Sequence, residues 1–366
     1  MITIADVTSA IETYAPLALQ EDYDNCGMQV GDRSVECRGV ILCVDVTPAI
    51  VDEAIAHNCN LIISHHPLIF KGLKRLTGAT LVERTVMKAI ESGVAIYSCH
   101  TAIDNAQNGV SWEMARCLNV EKIRTLDVQR NNMYKLVTYV PTSDVEPLKK
   151  CLFEVGAGCV GNYDCCSFES EGKGSFRANA GANPYVGEIG KVHNESETRL
   201  EVVFPKWKKN VVEQTLLWNH PYEEPAYDFI ALDNGIKNIG SGVIGELPMQ
   251  LKLSQLISQV KEVFNSPIVR CNTSNTEQEV SKIAMCGGSG SFLIKNAIAA
   301  GAHVFITSDT KYHDFVDCKN DIILLDIGHF ESEQCTKNIF YRIIQEKFPN
   351  FALYYSDIEK NPINYL

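Results

Sequence analysis

The sequence predicts an α/β protein: a parallel-rich sheet core with flanking helices, interrupted by an inserted α+β domain. Two observations predict the core. Short apolar runs alternate with helical patterns over roughly the first 120 residues, and the same alternation returns near the end of the chain. A third predicts the insertion. The stretch between them is punctuated by Gly, Asn and Pro and has no such rhythm. Strand–helix–strand alternation implies parallel pairing through right-handed crossovers. The expected boundaries are a first half-domain at 1–129, an inserted domain at 130–234 and a second half-domain at 235–366.

The elements follow in order. GVILCVDV (39–46) reads as a buried strand, and TPAIVDEAIAH opens a helix with Pro48 in its first turn. NLIIS (60–64) is the next strand and ends at His65. A loop rich in Lys and Gly leads to a helix over 79–92, then to the strand VAIYSC (94–99), which ends at His100, and to the helix GVSWEMARCLN (109–119). In the middle, MYKLVTYVP, GKGSFRANAGANP and TRLEVVFP suggest antiparallel strands with turns between them. Late in the chain KIAMC (282–286), HVFITSD (303–309) and IILLDIG (322–328) read as strands. GGSG reads as a turn, SFLIKNAIAAG as a helix, and 331–348 as one long amphipathic helix.

Bulk properties narrow the function classes. The 366 residues suggest roughly two or three domains. Lys and Arg number 33 against 45 Asp and Glu, a formal charge of −12, so nucleic acid is a poor default partner. The N-terminus lacks the pattern of a secretory signal, and no apolar run is long enough to span a bilayer. A soluble cytoplasmic protein with no membrane association is the expectation. The 14 cysteines include no CxxC pair, which argues against a zinc ribbon or redox motif. Cys43, Cys99 and Cys286 lie inside strand-like runs and read as small buried apolar residues.

The chemistry concentrates just past strand ends, where parallel sheets bind ligands. LIISHHPLIF places His65 and His66 there, and Pro67 stiffens the turn. YSCHTAIDNAQNGV places His100 there, with Asp104 four residues on. DIGHFESEQ places His329 and Glu333 four apart at a helix start, where both project from one face. SDTKYHDF adds Asp309 and His313. Each fragment alone also reads as an ordinary loop, turn or cap. Together they put five of the nine histidines past strand ends. Imidazole and carboxylate without thiolate suit Zn, Mn, Fe or Co. Five ligands exceed the three plus water usual for one catalytic zinc, and a carboxylate shared by two ions explains the surplus. Lys71, Lys74 and Arg75 follow the histidine pair and form the one basic segment near it, able to hold phosphates or simply solvated. GGSG could offer amide donors to an anion or serve as a tight turn; CGGSG lacks the GxGxxG spacing of a dinucleotide site.

YDNCGMQVGD, LIISHHPLIFKGLK, YSCHTAIDNAQNGV, AMCGGSGSFLIKNAIAAGA, ITSDTKYHDF and GHFESE occur in one order along nearly the whole chain. In these motifs the sequence resembles the YbgI-type, NIF-three-like dinuclear metal proteins, often labelled GTP cyclohydrolase type 2 homologues. The resemblance implies two divalent ions: His65 and His329 on one, His66 and Asp104 on the other, and Glu333 bridging. It marks His100 and His313 as pocket residues, carried as acid/base candidates. It implies that the middle segment, with GAGCVGNYDCCSF and HPYEEPAYDFI, is a PII/CutA-like insertion, and that the chain forms a ring-like homohexamer, a trimer of dimers. Cys165 and Cys166 fall in that segment without an assigned role. The expected activity is metal-dependent hydrolysis of a phosphate- or nucleotide-like small molecule. The alternatives are a non-enzymatic metal-binding or regulatory scaffold, or the literal GTP cyclohydrolase.

Overall fold

Val40–Cys43, Leu61–Ser64 and Ala95–Ser98 are buried at every residue in the computed structural model, which describes residues 1–365. Continuous burial marks parallel strands covered on both faces. The three pair in parallel, with Val40 opposite Leu61 and Leu61 opposite Ala95. Leu353–Tyr355 adds a parallel edge beside Val40–Cys43, and Gly27–Val30 closes the other edge antiparallel to Ala95–Ser98. The crossover helices Pro48–Ala56 and Leu81–Ser92 each begin at a threonine, Thr47 and Thr80, whose hydroxyl accepts the N–H of Ile50 or Glu83. Such caps satisfy donors that a helix start otherwise leaves free.

The second sheet has a parallel centre of Glu279–Ser289, Val304–Ser308 and Ile323–Asp326. Arg270–Cys271 flanks it antiparallel on one side, and Gly240–Lys252 followed by Glu121–Val128 on the other. Val128 and Gly240 are register partners, so the chain leaves this sheet and rejoins it at one place. The chain forms two compact units, Met1–Val128 with Asn238–Leu366, and Gln129–Lys237. The second unit begins one residue before the expected insertion and ends three residues after it.

Within Gln129–Lys237, Met133–Pro141, Phe168–Arg177, Val192–Pro205 and Tyr227–Leu232 form an antiparallel sheet, with helices Val145–Glu154 and Lys209–Asn219. The sequence βαββαβ with this strand order is the ferredoxin-like arrangement. Leu136, Val140, Leu200, Val202 and Phe204 pack under Leu148, Leu152, Val212 and Leu216 to form its core. This is the antiparallel α+β module that the middle segment predicts.

Two local expectations change. The long helix expected over 331–348 is divided into His329–Glu333 and Thr336–Lys347. The Ser332 hydroxyl donates to the His329 carbonyl at 2.8 Å and accepts the Gly288 N–H at 2.9 Å, which ties the first piece to the sheet instead of the following helix. In GGSG, Gly287–Ser289 continue a strand, and the amides of Gly287, Gly288 and Gly290 donate to the hydroxyls of Ser111, Ser332 and Thr307. Those donors are spent inside the fold, so the segment is no anion cradle. Cys43, Cys99 and Cys286 are buried as expected. Among the described residues no helix is long and apolar enough to cross a membrane.

Candidate metal centre

The strand Leu61–Ser64 delivers two imidazoles to one place. The ladder with its neighbour continues past the strand, His65 N–H donating to Cys43 O at 3.1 Å and His66 N–H to Val44 O at 2.9 Å. The Ser64 hydroxyl then donates to the His66 carbonyl, at 2.8 Å, and tightens the turn. Adjacent strand residues point to opposite faces; here the turn brings both rings together, with centroids 5.0 Å apart. The neighbouring strand delivers His100, whose ring meets His65 edge-on at 5.2 Å and His66 at 5.3 Å. Asp104 follows on Thr101–Asn105. From the second sheet, Gly328, with φ +92°, turns the chain into His329–Glu333.

Two trios of ligand atoms result. Glu333 Oε2 lies 2.9 Å from His66 Nε2 and 2.9 Å from His329 Nε2, and the two nitrogens are 3.2 Å apart. Glu333 Oε1 lies 3.5 Å from His65 Nε2, which is 3.9 Å from Asp104 Oδ1. Ligand atoms around a common tetrahedral ion with metal–nitrogen bonds of about 2.0–2.1 Å lie roughly 3.3 Å apart. Both trios fit. The structure thus groups His66 with His329 and His65 with Asp104, the opposite of the pairing that the resemblance implies. Glu333 touches both trios.

Carboxylates anchor the far sides of three rings. His66 Nδ1 is 2.9 Å from Asp45, His100 Nδ1 is 2.9 Å from Asp24 and His329 Nδ1 is 2.7 Å from Asp309. An Nδ1–H donated to a carboxylate leaves Nε2 as a lone pair, which is how metal-binding histidines are usually held. The lone pairs of His66 and His329 then face each other and the Glu333 carboxylate, an arrangement that needs a cation or protons between them. His65 makes the same point by burial. It is fully buried with neither ring nitrogen hydrogen-bonded, and Asp104 Oδ1 and Glu333 Oε2 also lack hydrogen-bond partners. Unpaired buried polar atoms are costly. Metal ions in the cluster would satisfy His65 Nε2, Asp104 Oδ1 and Glu333 Oε2, leaving only His65 Nδ1 on the far side of its ring.

Without a metal the cluster holds protons. Burial works to lower the basicity of His66, but its contacts with Asp45 and Glu333 outweigh this and push the pKa up to about 10. For His329, burial is likewise outweighed by Glu333 and then Asp309, giving about 9. Burial would raise the Glu333 carboxyl, yet the surrounding imidazoles, His65 foremost, hold it well below the usual range. Asp104 is pushed up, chiefly by burial.

The structure brings together His65, His66, His100, Asp104, His329 and Glu333. It does not bring in His313. That residue is exposed on Tyr312–Asp317, where the Lys311 N–H donates to the Asp314 carboxylate at the helix start, and its ring lies against Tyr312. The acid/base role expected for His313 has no contact with the cluster to support it, the ring being exposed four residues beyond Asp309.

Sequence reasoning missed Asp24 and Asp45 as anchors and left Asp309 without a role. Asp45 sits just past a strand end beside His66, the same positional signal that marked the histidines. Asp24 lay inside the YDNCGMQVGD motif without an assigned partner.

Next to the cluster stands an exposed aromatic edge. The Phe70 ring is 6.3 Å from His100, and the Tyr23 ring is 6.4 Å from Phe70. Lys71, Lys74 and Arg75 follow Phe70, all exposed.

Fold and cluster together define an α/β protein with a histidine–carboxylate cluster at its strand ends that could hold metal. The chain matches the Duf34/NIF3 (NGG1p interacting factor 3) family over residues 2–362, and it belongs to that family. It is 36% identical over 364 residues to a Staphylococcus aureus protein named GTP cyclohydrolase 1 type 2 homolog, covering 99% of this chain and 98% of the relative. The structure of a Bacillus cereus protein related to NIF3 aligns with a TM-score of 0.87 at 31% identity, over 100% of this chain and 99% of that one. Protein ybgI, with a TM-score of 0.58 at 14% identity over 98% of this chain and 99% of its own, shares the fold.

Proposed function

We propose that the cleft binds two divalent cations, drawn from Zn, Mn, Fe or Co, and hydrolyses a small phosphate- or nucleotide-like molecule. The observation that carries this reading is the pair of ligand trios meeting on the two oxygens of Glu333. His66, His329 and Glu333 Oε2 would hold one ion, and His65, Asp104 and Glu333 Oε1 the other. Paired divalent ions supply Lewis acidity, activating water near neutral pH and clamping developing negative charge.

The remaining residues have their own tasks. His100 is the acid/base candidate. With Nδ1 held by Asp24, its Nε2 is free to take a proton from water and return it to a leaving group. Burial depresses its basicity, but Asp24 and Asp104 raise it overall, so the ring retains a captured proton well. Lys71, Lys74 and Arg75 attract phosphate electrostatically, a contribution that salt screens. Phe70 and Tyr23 offer faces on which a planar ring can stack. That combination favours a phosphorylated molecule with an aromatic ring over a bare phosphomonoester. GTP, the substrate in the name of the staphylococcal relatives, falls within this class.

The test is a screen of metal-reconstituted protein against p-nitrophenyl phosphate, nucleoside mono- and triphosphates including GTP, and ribose 5-phosphate, beside His66→Ala. Turnover that needs metal and vanishes in the variant supports hydrolysis. No turnover above the variant, with metal still bound, sinks the hydrolase and leaves a metal-binding scaffold. The ring-like hexamer belongs to the same proposal, and light scattering after size exclusion tests it.

A further inference from the structure

The segment from Ser356 to Tyr365 runs across the back of the metal centre and is tied to both of its halves. Ser356 N–H donates to Leu42 O at 2.9 Å, its hydroxyl donates to Glu53 Oε2 at 2.5 Å, and Asp357 N–H donates to Glu53 Oε1 at 2.7 Å. Glu53, His57 and Asp357 resemble a second metal cluster, but both Glu53 oxygens are occupied in securing this segment. Glu359 comes next. Its side chain is only 4% exposed, and Oε1 accepts the N–H groups of Val44 at 2.6 Å and Asp45 at 3.0 Å. Oε2 pairs with Lys337 Nζ at 2.6 Å. Two residues on, Asn361 Nδ2 donates to Glu331 Oε1 at 2.8 Å, and the Tyr365 hydroxyl lies against Gly328.

These contacts fall directly behind the ligands. Val44 O accepts the His66 N–H, and the Asp45 carboxylate holds His66 Nδ1. Glu331 is buried between His329 and Glu333 on their short helix, and Lys337 opens the helix that follows. One buried carboxylate thus connects the backbone that aims His66 to the helix that trails Glu333. His66 and Glu333 come from different sheets and meet at 2.9 Å, so an error in their relative placement is an error in the site itself.

We propose that this C-terminal segment is a strap that sets the geometry of the metal centre, with Glu359 and Asn361 as its positioning residues. The inference rests on the metal-binding reading of the cluster. Partners hydrogen-bonded directly to a ligand typically alter affinity by roughly 10- to 100-fold when lost, and Glu359 acts one step behind such a partner, Asp45.

The experiment titrates Co²⁺ into metal-free wild type, Glu359→Ala, Glu359→Gln and Asn361→Ala. It reads affinity, stoichiometry and the visible spectrum of the bound ion, and it records the Tm of each metal-free protein. The strap predicts an affinity loss of up to roughly 10-fold in Glu359→Ala, the lower end of what losing a direct partner costs, and an altered Co²⁺ spectrum. Glu359→Gln should recover part of the loss, because its amide oxygen still accepts the Val44 and Asp45 amides. Asn361→Ala should shift the spectrum on its own, which keeps the test decisive if Glu359→Ala fails to fold. Wild-type affinity and spectrum in both Asn361→Ala and a folded Glu359 variant would overturn the strap, whatever their Tm. Failure of the wild type to take up Co²⁺ would overturn the metal-binding reading instead.

Discussion

His66 Nε2 and His329 Nε2 face each other at 3.2 Å, although their residues lie 263 positions apart in the chain. Each ring is backed by its own aspartate, Asp45 or Asp309. Both nitrogens therefore bring lone pairs to the Glu333 carboxylate, and two lone pairs with an anion repel unless a cation or protons intervene.

Glu333 carries the first prediction. Its oxygens are the meeting point of both trios, so Glu333→Ala should reduce metal content from near two ions per chain to one or none. Elemental analysis of the purified variant beside wild type measures this. Unchanged stoichiometry in the variant would remove Glu333 from the ligand set.

Protons compete with metal here, and the direction follows from the raised basicity of His66 and His329, about 10 and about 9 against an ordinary 6.5. At neutral pH the metal-free cluster is protonated, so binding must expel protons, and affinity should rise with pH until about 9–10. Calorimetry in buffers of different ionisation enthalpy counts those protons. Stability follows the sign of a raised pKa: the benefit to the metal-free fold is full below about 6.5 and is lost as pH rises through 9–10. The Tm of metal-free protein should fall over that window, while metal-loaded protein should not follow it.

The site's main chemistry was legible in sequence because parallel strands are short, apolar and abruptly terminated. His65, His66, His100 and His329 each follow such a strand closely, so their convergence can be argued from the sequence alone. The His329–Glu333 spacing was readable for the same reason that any i, i+4 pair is. Asp24 was not, because its role depends on a loop 76 residues away from His100 folding against it. His313 has the same position relative to its strand as the others, but its exposure is decided by the helix it sits on. The pairing of ligands could not be read at all, since it turns on which oxygen of Glu333 each ring reaches once the two sheets come together. The division of 331–348 escaped for a similar reason. Helical periodicity runs through it, and only the tertiary bond from Gly288 to Ser332 shows the break.

Asp24 separates catalysis from metal binding. Its carboxylate holds His100 Nδ1 and accepts the Thr101 N–H at 2.9 Å, and those contacts with His100 and Thr101 outweigh burial to keep it well below the usual carboxylate range. Asp24→Asn should leave metal content near wild type, lower kcat, and move the pH–rate profile to lower pH, because His100 loses the anion that raises its basicity. A variant with reduced metal content and an unmoved profile would place Asp24 in the architecture of the ion site instead.

Gly288 provides a steric test of the same centre. It has φ +61°, and a Cβ at this position would stand 2.2 Å from Glu333 Oε1. Two penalties coincide in Gly288→Ala. The left-handed backbone costs an L-residue about 1–2 kcal/mol, and the added methyl displaces the carboxylate that both trios share. Ser332 stiffens the arrangement by accepting the Gly288 N–H, so the strand cannot easily move aside. The variant should therefore lose stability and metal together, whereas Gly301→Ala, also at positive φ but with only the tip of Lys282 nearby, should lose stability alone. Thermal unfolding and elemental analysis of the two variants make the comparison. Full metal content in Gly288→Ala would mean that Glu333 can bind from another rotamer, and the shared-carboxylate geometry would have to be abandoned.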